Sequence, residues 1–205
     1  MKPIDFPLSF IAAGKEMCDF DHFVPAPYLR RSIVCREKPV RAELLICGLG
    51  FYELFINGEK RTRGFLAPYI TNPDQILWYD RYDLAADFTA GENVLGLLLG
   101  NGMQNAFGGE IWDFQLARWR SAPKTALSLC LTYADGTQET IVSDETFRTA
   151  PSPIYFDDLR AGEFYDARRE IPGWNKPGFD DSGWQPAILA ETPRGEAHLN
   201  TAEPI

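Results

Sequence analysis

The chain has 205 residues, of which 45% are hydrophobic and 13% aromatic, and this content is too apolar for a disordered segment. Its 20 Lys and Arg against 29 Asp and Glu give a net charge of −9, which opposes binding to nucleic acid or to an anionic membrane. No run approaches the roughly 18 to 20 apolar residues of a membrane-spanning helix, and residues 1–13 are broken by Asp5 and two prolines. We therefore predict a globular chain with no membrane partner, no anchor and no signal peptide.

The four cysteines lie far apart and form no CxxC pair, which argues against a zinc knuckle or a redox centre. Cys47 and Cys130 stand inside apolar segments, where a thiol is usually a small buried hydrophobe. We expect free thiols and a cytoplasmic location.

Short apolar runs separated by glycine and proline predict an all-β fold, because no long stretch has the period of an amphipathic helix. The spacing is typical of an antiparallel β-sandwich, with further short strands after Pro153. The predicted strands are Leu29–Val34, Val40–Cys47, Phe51–Ile56, Trp78–Leu84, Asn93–Leu99, Thr125–Tyr133, Gln138–Val142 and Phe147–Thr149.

Two dipeptides favour tight hairpin turns, Asn57-Gly58 and Asp135-Gly136. Large residues alternate with small ones along Thr125–Tyr133, which indicates that one face of this strand packs on a core.

The segment with Gly48 and Gly50 lacks the third glycine of a dinucleotide-binding fingerprint. It predicts a turn or bulge between strands instead. The predicted core residues are Leu44, Ile46, Leu54, Ile56, Leu97, Leu99, Leu129 and Leu131.

The strand pattern predicts one β-sandwich domain over residues 1–190. Residues 191–205 are expected to form a linker-like tail, since the chain from Pro193 onward is polar and has no period. The connection between Gly100 and Pro123 contains four glycines and two tryptophans, and a connection of that length is usually functional or in contact with a partner.

The histidines give no support to nucleophilic catalysis. His22 and His198 lie near opposite ends of the chain in polar surroundings, whereas such catalysis needs a histidine placed beside its nucleophile. We predict no catalytic residue in this chain.

Paired carboxylates leave two interpretations open. Glu110 with Asp113, or Glu163 with Asp166, would suit glycoside hydrolysis if their separation were right. The alternative is that Glu163 and Asp166 form ion pairs with Arg168, Arg169 or a neighbouring strand.

Carbohydrate binding needs fewer groups than catalysis does. It needs aromatic faces, amide or carboxylate groups for the hydroxyls, and sometimes Ca²⁺. Loop-like segments supply such groups at Asn101, Asn105, Trp112, Asp113, Glu163 and Tyr165.

An ordered set of segments resembles the N-terminal β-sandwich domain of bacterial α-L-rhamnosidases. The resemblance covers about residues 10–184 and implies a galactose-binding-like jelly roll that precedes an (α/α)₆ catalytic barrel of the same polypeptide. The segments are APYLRR (26–31), AELLICGLGFYELFING (42–58), APYIT (67–71), WYDRYDL (78–84), GENVLGLLLGNGM (91–103), YADGT (133–137), SDETF (143–147) and GEFYDAR (162–168).

The resemblance also implies ligands, since related modules bind L-rhamnose with a calcium ion. Its ING, LGNG and GE-x-YDAR motifs place Asn57, Asn101, Glu163 and Asp166 as sugar contacts, and Glu163 and Asp166 as the metal ligands. We expect the loop from Asn101 and the GEFYDAR stretch to meet at one end of the sandwich.

An accessory, carbohydrate-binding role is the leading hypothesis. A purely structural packing module and a small stand-alone glycosidase are the alternatives. The predicted sugar site is Asn57, Asn101, Trp112, Glu163, Tyr165 and Asp166.

Overall fold

The computed structural model describes residues 6, 9–108 and 113–203, and these form β-strands with two short 3₁₀ turns, Phe114–Leu116 and Ala167–Arg169. This confirms the predicted all-β class. No helix in these ranges is long and apolar enough to cross a membrane. The strands are β1 Phe10–Ala12, β2 Pro27–Cys35, β3 Arg41–Leu49, β4 Phe51–Ile56, β5 Glu59–Lys60, β6 Ile76–Asp83, β7 Gly91–Gly100, β8 Lys124–Thr132, β9 Gln138–Val142, β10 Arg148–Pro151, β11 Ile154–Asp158, β12 Gly162–Tyr165, β13 Gln185–Pro186, β14 Ile188–Ala190 and β15 Glu196–Leu199.

The strands form two sheets and a hairpin. The first sheet has the order β14-β1-β8-β3-β6-β15, with β9 paired to β8, and the second has the order β13-β10-β2-β7-β4-β5. Strands β11 and β12 form the separate hairpin, referred to below as the β11–β12 hairpin. Neighbouring strands are antiparallel except β6 and β15, which run parallel.

The core lies between the two sheets. In the first sheet Leu44 and Ile46 of β3 lie opposite Leu129 and Leu127 of β8, and this ladder belongs to one buried cluster with Leu54, Leu97 and other residues of the second sheet. All eight predicted core residues are at most 1% exposed. This arrangement confirms the jelly-roll sandwich.

The other face of the first sheet covers a smaller buried cluster that includes Phe10, Cys47, Leu77 and Ala126. Cys47 is therefore buried as predicted, whereas Cys130 is only half-buried. All four cysteines are free thiols.

Both predicted hairpin turns are present. Asn57 and Gly58 have φ values of 52° and 90° and form the two-residue connection from β4 to β5. Positive φ at both positions is what this tight turn requires. Asp135-Gly136 lies in the β8–β9 connection, which the Tyr133 N–H closes on the Thr137 carbonyl at 2.9 Å.

The tail beyond residue 190 contains strand β15, which pairs with β6. The Asn200 side chain adds a hydrogen bond of 2.9 Å to the Asp80 carboxylate. The sheet thus continues past the predicted boundary. The sequence did not predict this strand, because most of its residues are exposed and it has no apolar period.

Leu129→Ala should lower the free energy of unfolding by about 2 to 5 kcal/mol, because it removes buried apolar surface and leaves a cavity between the sheets. Urea unfolding followed by circular dichroism measures the change. Val34→Thr keeps a β-branched residue at an exposed strand position and should shift the value by less than about 0.5 kcal/mol. A loss below about 1 kcal/mol for Leu129→Ala would contradict a close-packed interface.

Candidate functional site

A cleft of about 320 Å³ lies where the second sheet meets the β11–β12 hairpin. One wall is formed by strands β4 and β7, the second by the hairpin and the third by residues 62–67. Two hydrogen bonds hold this third wall to β4: the Leu54 N–H donates to the Thr62 hydroxyl at 2.5 Å and the Tyr52 N–H donates to the Ala67 carbonyl at 2.9 Å. We call this space the cleft.

A close approach of two glycines shapes one end of the cleft. Gly50 has a φ of 103°, and a Cβ placed there would lie 2.0 Å from the carbonyl oxygen of Gly100. Gly50 therefore forms the turn between β3 and β4 that the sequence predicted, and only glycine fits it.

The Asp157 carboxylate joins the hairpin to the loop that follows β7. It accepts hydrogen bonds from the Asn101 backbone N–H at 2.6 Å, the Asn101 side-chain amide at 2.7 Å and the Gly102 N–H at 3.2 Å. Burial raises the pKa of this carboxyl above its ordinary value, and the three hydrogen bonds oppose that shift. The loop from Asn101 and the GEFYDAR stretch therefore lie side by side, because Asp157 is the strand partner of Glu163.

Asn101 itself is buried and uses both of its amide N–H donors internally. Besides Asp157, the Asn101 amide donates to the Val24 carbonyl at 2.8 Å, and its oxygen accepts from the Asn105 amide at 2.8 Å. The Asn105 oxygen in turn accepts from the Cys18 N–H at 3.0 Å. Both asparagines hold the loop in place beside the cleft.

Two further carboxylates of the hairpin line the cleft. Glu163 is exposed, and its side-chain carboxylate has no hydrogen bond or ion pair within residues 9–108 and 113–203. Asp158 is 7% exposed, and its Oδ1 accepts from the N–H groups of Arg160 and Ala161 at 2.9 and 2.7 Å. The buried Asp158 Oδ2 has no hydrogen-bond partner among the described residues.

The third wall is apolar where it faces these carboxylates. The Phe65 side chain is 72% exposed, and Leu66 beside it is 50% exposed. The Lys60 ammonium lies 5.5 Å from the centre of the Phe65 ring. The cleft thus presents an accessible aromatic side chain and an accessible carboxylate, and Leu98, Ile154 and Leu159 are among its apolar lining.

Asn57 is remote from the cleft. The last β4 residue that lines the cleft is Glu53, and Asn57 lies four residues beyond it, a span of about 13 Å in a strand. The Asn57 amide donates to the Asp87 carbonyl and to Asn93 Oδ1, each at 2.9 Å, and its oxygen accepts from the Val94 N–H at 2.8 Å. The side chain stabilises its own turn.

Tyr165 and Asp166 also have local partners. The Tyr165 hydroxyl donates to the Glu170 carboxylate at 2.5 Å. The Asp166 carboxylate accepts from the Arg168 guanidinium at 2.8 Å, and this contact lowers the pKa of Asp166 to about 2. The ion-pair interpretation of the acids therefore holds for Asp166 but not for Glu163.

Glu163 and Asp166 do not face one space. Glu163 of β12 lines the cleft, whereas Asp166 lies past the end of β12, caps the turn Ala167–Arg169 and does not line the cleft. Within the described ranges there is also no group of three or more His, Cys, Asp or Glu side chains arranged to hold a metal ion. The calcium site stays a prediction. Of its two predicted ligands, Glu163 has an unpaired carboxylate and Asp166 is paired with Arg168.

Trp112 and Glu110 lie outside the described residues. Sequence reasoning missed Phe65, Asp157 and Asp158. An apolar pair inside the Gly- and Pro-containing stretch RTRGFLAPY was one signal that could have found this site, and two adjacent acids at the end of the apolar run Ile154-Tyr155-Phe156 were another.

Residues 37–205 match the α-L-rhamnosidase N-terminal domain family, and the chain belongs to that family. It is 39% identical over 170 residues to an α-L-rhamnosidase of Formosa agariphila, covering 78% of this chain and 17% of that protein. The chain thus spans about a sixth of that relative.

Two solved structures are also similar. The α-L-rhamnosidase of Dictyoglumus thermophilum superposes with a TM-score of 0.86 at 34% identity, covering 100% of this chain and 23% of that one. The Streptomyces avermitilis α-L-rhamnosidase, solved in complex with L-rhamnose, gives a TM-score of 0.77 at 34% identity over 84% of this chain and 17% of that one.

We expect the Asp157 carboxyl to titrate above the ordinary aspartate value of about 3.9 in ¹³C NMR, because burial raises its pKa. A carboxyl with a raised folded-state pKa contributes stability below the unfolded-state pKa, and that contribution is lost as pH rises through the folded-state pKa. Asp166 should titrate near 2 in the same spectra. A midpoint for Asp157 below the ordinary value would show that its hydrogen bonds outweigh burial.

Proposed function

We propose that this chain is the accessory domain of an α-L-rhamnosidase-type glycoside hydrolase and that it binds L-rhamnose or a related sugar in the cleft. The observation that supports this best is the pairing of the exposed Phe65 ring with the exposed Glu163 carboxylate at one sugar-sized space. Ligand sites of roughly 300 to 1,000 Å³ with apolar walls and a few polar groups are common in proteins.

The chemistry of the two side chains suits a 6-deoxy sugar. An aromatic face packs against the C–H groups of a sugar ring, and a carboxylate accepts hydrogen bonds from adjacent hydroxyls. The methyl group of rhamnose would contact the apolar lining at Leu98, Ile154 or Leu159. Affinity should be weak, about −4 to −6 kcal/mol, because a monosaccharide exchanges good hydrogen bonds to water for hydrogen bonds to protein.

Hydrolysis is assigned to the remainder of the polypeptide, as the relatives are several times longer than this chain. Glu163 lines the cleft and Asp166 does not, so the two carboxylates are not placed to flank one glycosidic bond there. Asp157 is also unsuited to act as a base, since three N–H groups already occupy its carboxylate. These contacts argue against a stand-alone glycosidase.

Phe65→Ala and Glu163→Gln should each weaken L-rhamnose binding at least fivefold, because one removes the stacking surface and the other a charged acceptor. Chemical-shift titration by NMR measures the millimolar affinity, once with Ca²⁺ and once with EDTA. If calcium joins the site, EDTA weakens binding.

Leu116→Ala and Glu145→Gln make the same kinds of change at exposed positions outside the cleft and should leave the affinity within twofold. Absence of rhamnose binding at tens of millimolar, or equal loss in the control variants, would contradict binding in the cleft.

An exposed aromatic patch supports a second candidate function, packing against the rest of the polypeptide. The patch consists of Phe20, Phe23, Tyr155 and Phe164, each between 39% and 65% exposed. Two further rings, Phe107 and the buried Phe156, join these four into one cluster. Ring centres are 4.8 Å apart for Phe23 and Phe156, 5.1 Å for Phe156 and Phe164, and 5.8 Å for Phe20 and Phe107, for Phe23 and Phe107 and for Tyr155 and Phe164. Contiguous exposed apolar surface is typical of an interaction site.

Packing can be tested with the Dictyoglumus thermophilum enzyme produced without the domain that superposes on this chain. In sedimentation velocity the wild-type chain should associate with that remainder, and the double variant Phe20→Ser, Phe164→Ser should associate at least tenfold more weakly. Leu116→Ser, exposed outside the patch, is the matched control. Equal association of the double variant would exclude the patch as the interface.

A further inference from the structure

A second cavity, of about 530 Å³, lies on the first sheet where β1, β8 and β14 end, and it shares no lining residue with the cleft. The side chains that line this cavity carry a net positive charge, whereas the chain as a whole carries −9. Five basic and two acidic side chains line it, a formal excess of three positive charges: Lys15, Arg118, Arg120, Lys124 and Arg194, with Asp74 and Glu191.

Lys124 is the buried member of this set. It is 5% exposed, and its ammonium lies 5.9 Å from the centre of the Phe10 ring. The ammonium donates one hydrogen bond, to the Glu191 backbone carbonyl at 2.8 Å. An ammonium has three donors, and no carboxylate of the described residues lies within ion-pair distance of it.

This situation is unusual for a buried charge. Buried ammonium groups are normally paired or fully hydrogen-bonded, because leaving water costs several kcal/mol. Burial accordingly lowers the pKa of Lys124, while Glu191 and Asp74 raise it from a greater distance. An anion in the cavity would supply the missing partner.

Arg120 is held rigidly beside the same cavity. Its Nε donates to the Ala106 carbonyl at 3.0 Å and a terminal nitrogen donates to the Cys18 carbonyl. These bonds fix the guanidinium and leave further N–H donors for a ligand. Arg118 and Arg194 are exposed at the rim, and the half-buried Trp119 adds an aromatic side chain to the lining.

We propose that this cavity binds a sugar acid, with the carboxylate at Lys124 and Arg120 and the sugar ring at Trp119. The volume fits a monosaccharide, and a carboxylate accepts charge-assisted hydrogen bonds from both cations. The site is independent of rhamnose binding in the cleft, so either can fail without the other.

The test compares D-glucuronate with D-glucose and acetate at constant ionic strength, using NMR titration of the whole chain. Glucuronate should bind at least tenfold more tightly than glucose, which has the ring without the carboxylate, and than acetate, which has the carboxylate without the ring. Equal affinity for glucuronate and glucose would overturn the anion site, and equal affinity for glucuronate and acetate would overturn the assignment to a sugar.

Lys124→Met removes the charge and keeps the apolar stem, and it should weaken glucuronate binding at least tenfold. Lys38→Met makes the same charge change at an exposed position outside the cavity and should have less than a twofold effect. If Lys124→Met does not fold, the rim variant Arg118→Met, Arg194→Met provides the measurement, with an expected loss of at least fivefold. An unchanged affinity in the folded Lys124 variant, or in the rim variant, would overturn the proposal.

Discussion

The cleft depends on one half-buried carboxylate, that of Asp157, which accepts from three N–H groups of Asn101 and Gly102. A two-stranded hairpin is marginal by itself in water, so β11 and β12 need attachment to the sandwich. Backbone bonds near Ala26 provide part of it, since Ala26 donates to the Ile154 carbonyl and accepts from the Ser152 N–H, each at 3.0 Å. Asp157 adds a further attachment along β11 and links the hairpin to the end of β7. The burial that raises its pKa also makes each of its hydrogen bonds harder to replace by water.

The order of apolar and polar residues was sufficient to predict the β-sandwich, because alternation along a strand determines which side chains reach the core. The bounds of Phe51–Ile56 and Gln138–Val142 agree with the prediction, and the other predicted strands differ by a few residues at their ends. Strand β15 was missed because its pairing with β6 joins distant segments, and nothing in its own polar residues records that contact. The same limit applies to the cleft, because its Phe65 lies in a loop after β5 and its Glu163 lies in β12, far away in the sequence. The sugar contacts predicted at Asn57 and Asn101 stay a prediction, and in this structure both amide side chains bond the surrounding loops.

Charge is distributed unevenly over this acidic domain. The hairpin concentrates Asp157, Asp158 and Glu163 at the cleft, while a basic cavity lies on the other sheet around Lys124. The two spaces share no lining residue. Such separation lets one small domain offer a hydroxyl-accepting surface and an anion-accepting surface, and both kinds of group occur on carbohydrates.

Strand β15 has a mechanical consequence. Asn200, which follows it, donates to Asp80, and Asp80 accepts from the hydroxyl of Tyr52, a residue that lines the cleft. A tension applied along β15 would load its parallel hydrogen bonds to β6 together, in shear, whereas a strand peeled from one end releases them singly. The same tension would reach the cleft through two side-chain hydrogen bonds. Tension along β15 would therefore be transmitted to Tyr52 in the wall of the cleft instead of being absorbed by slack polypeptide.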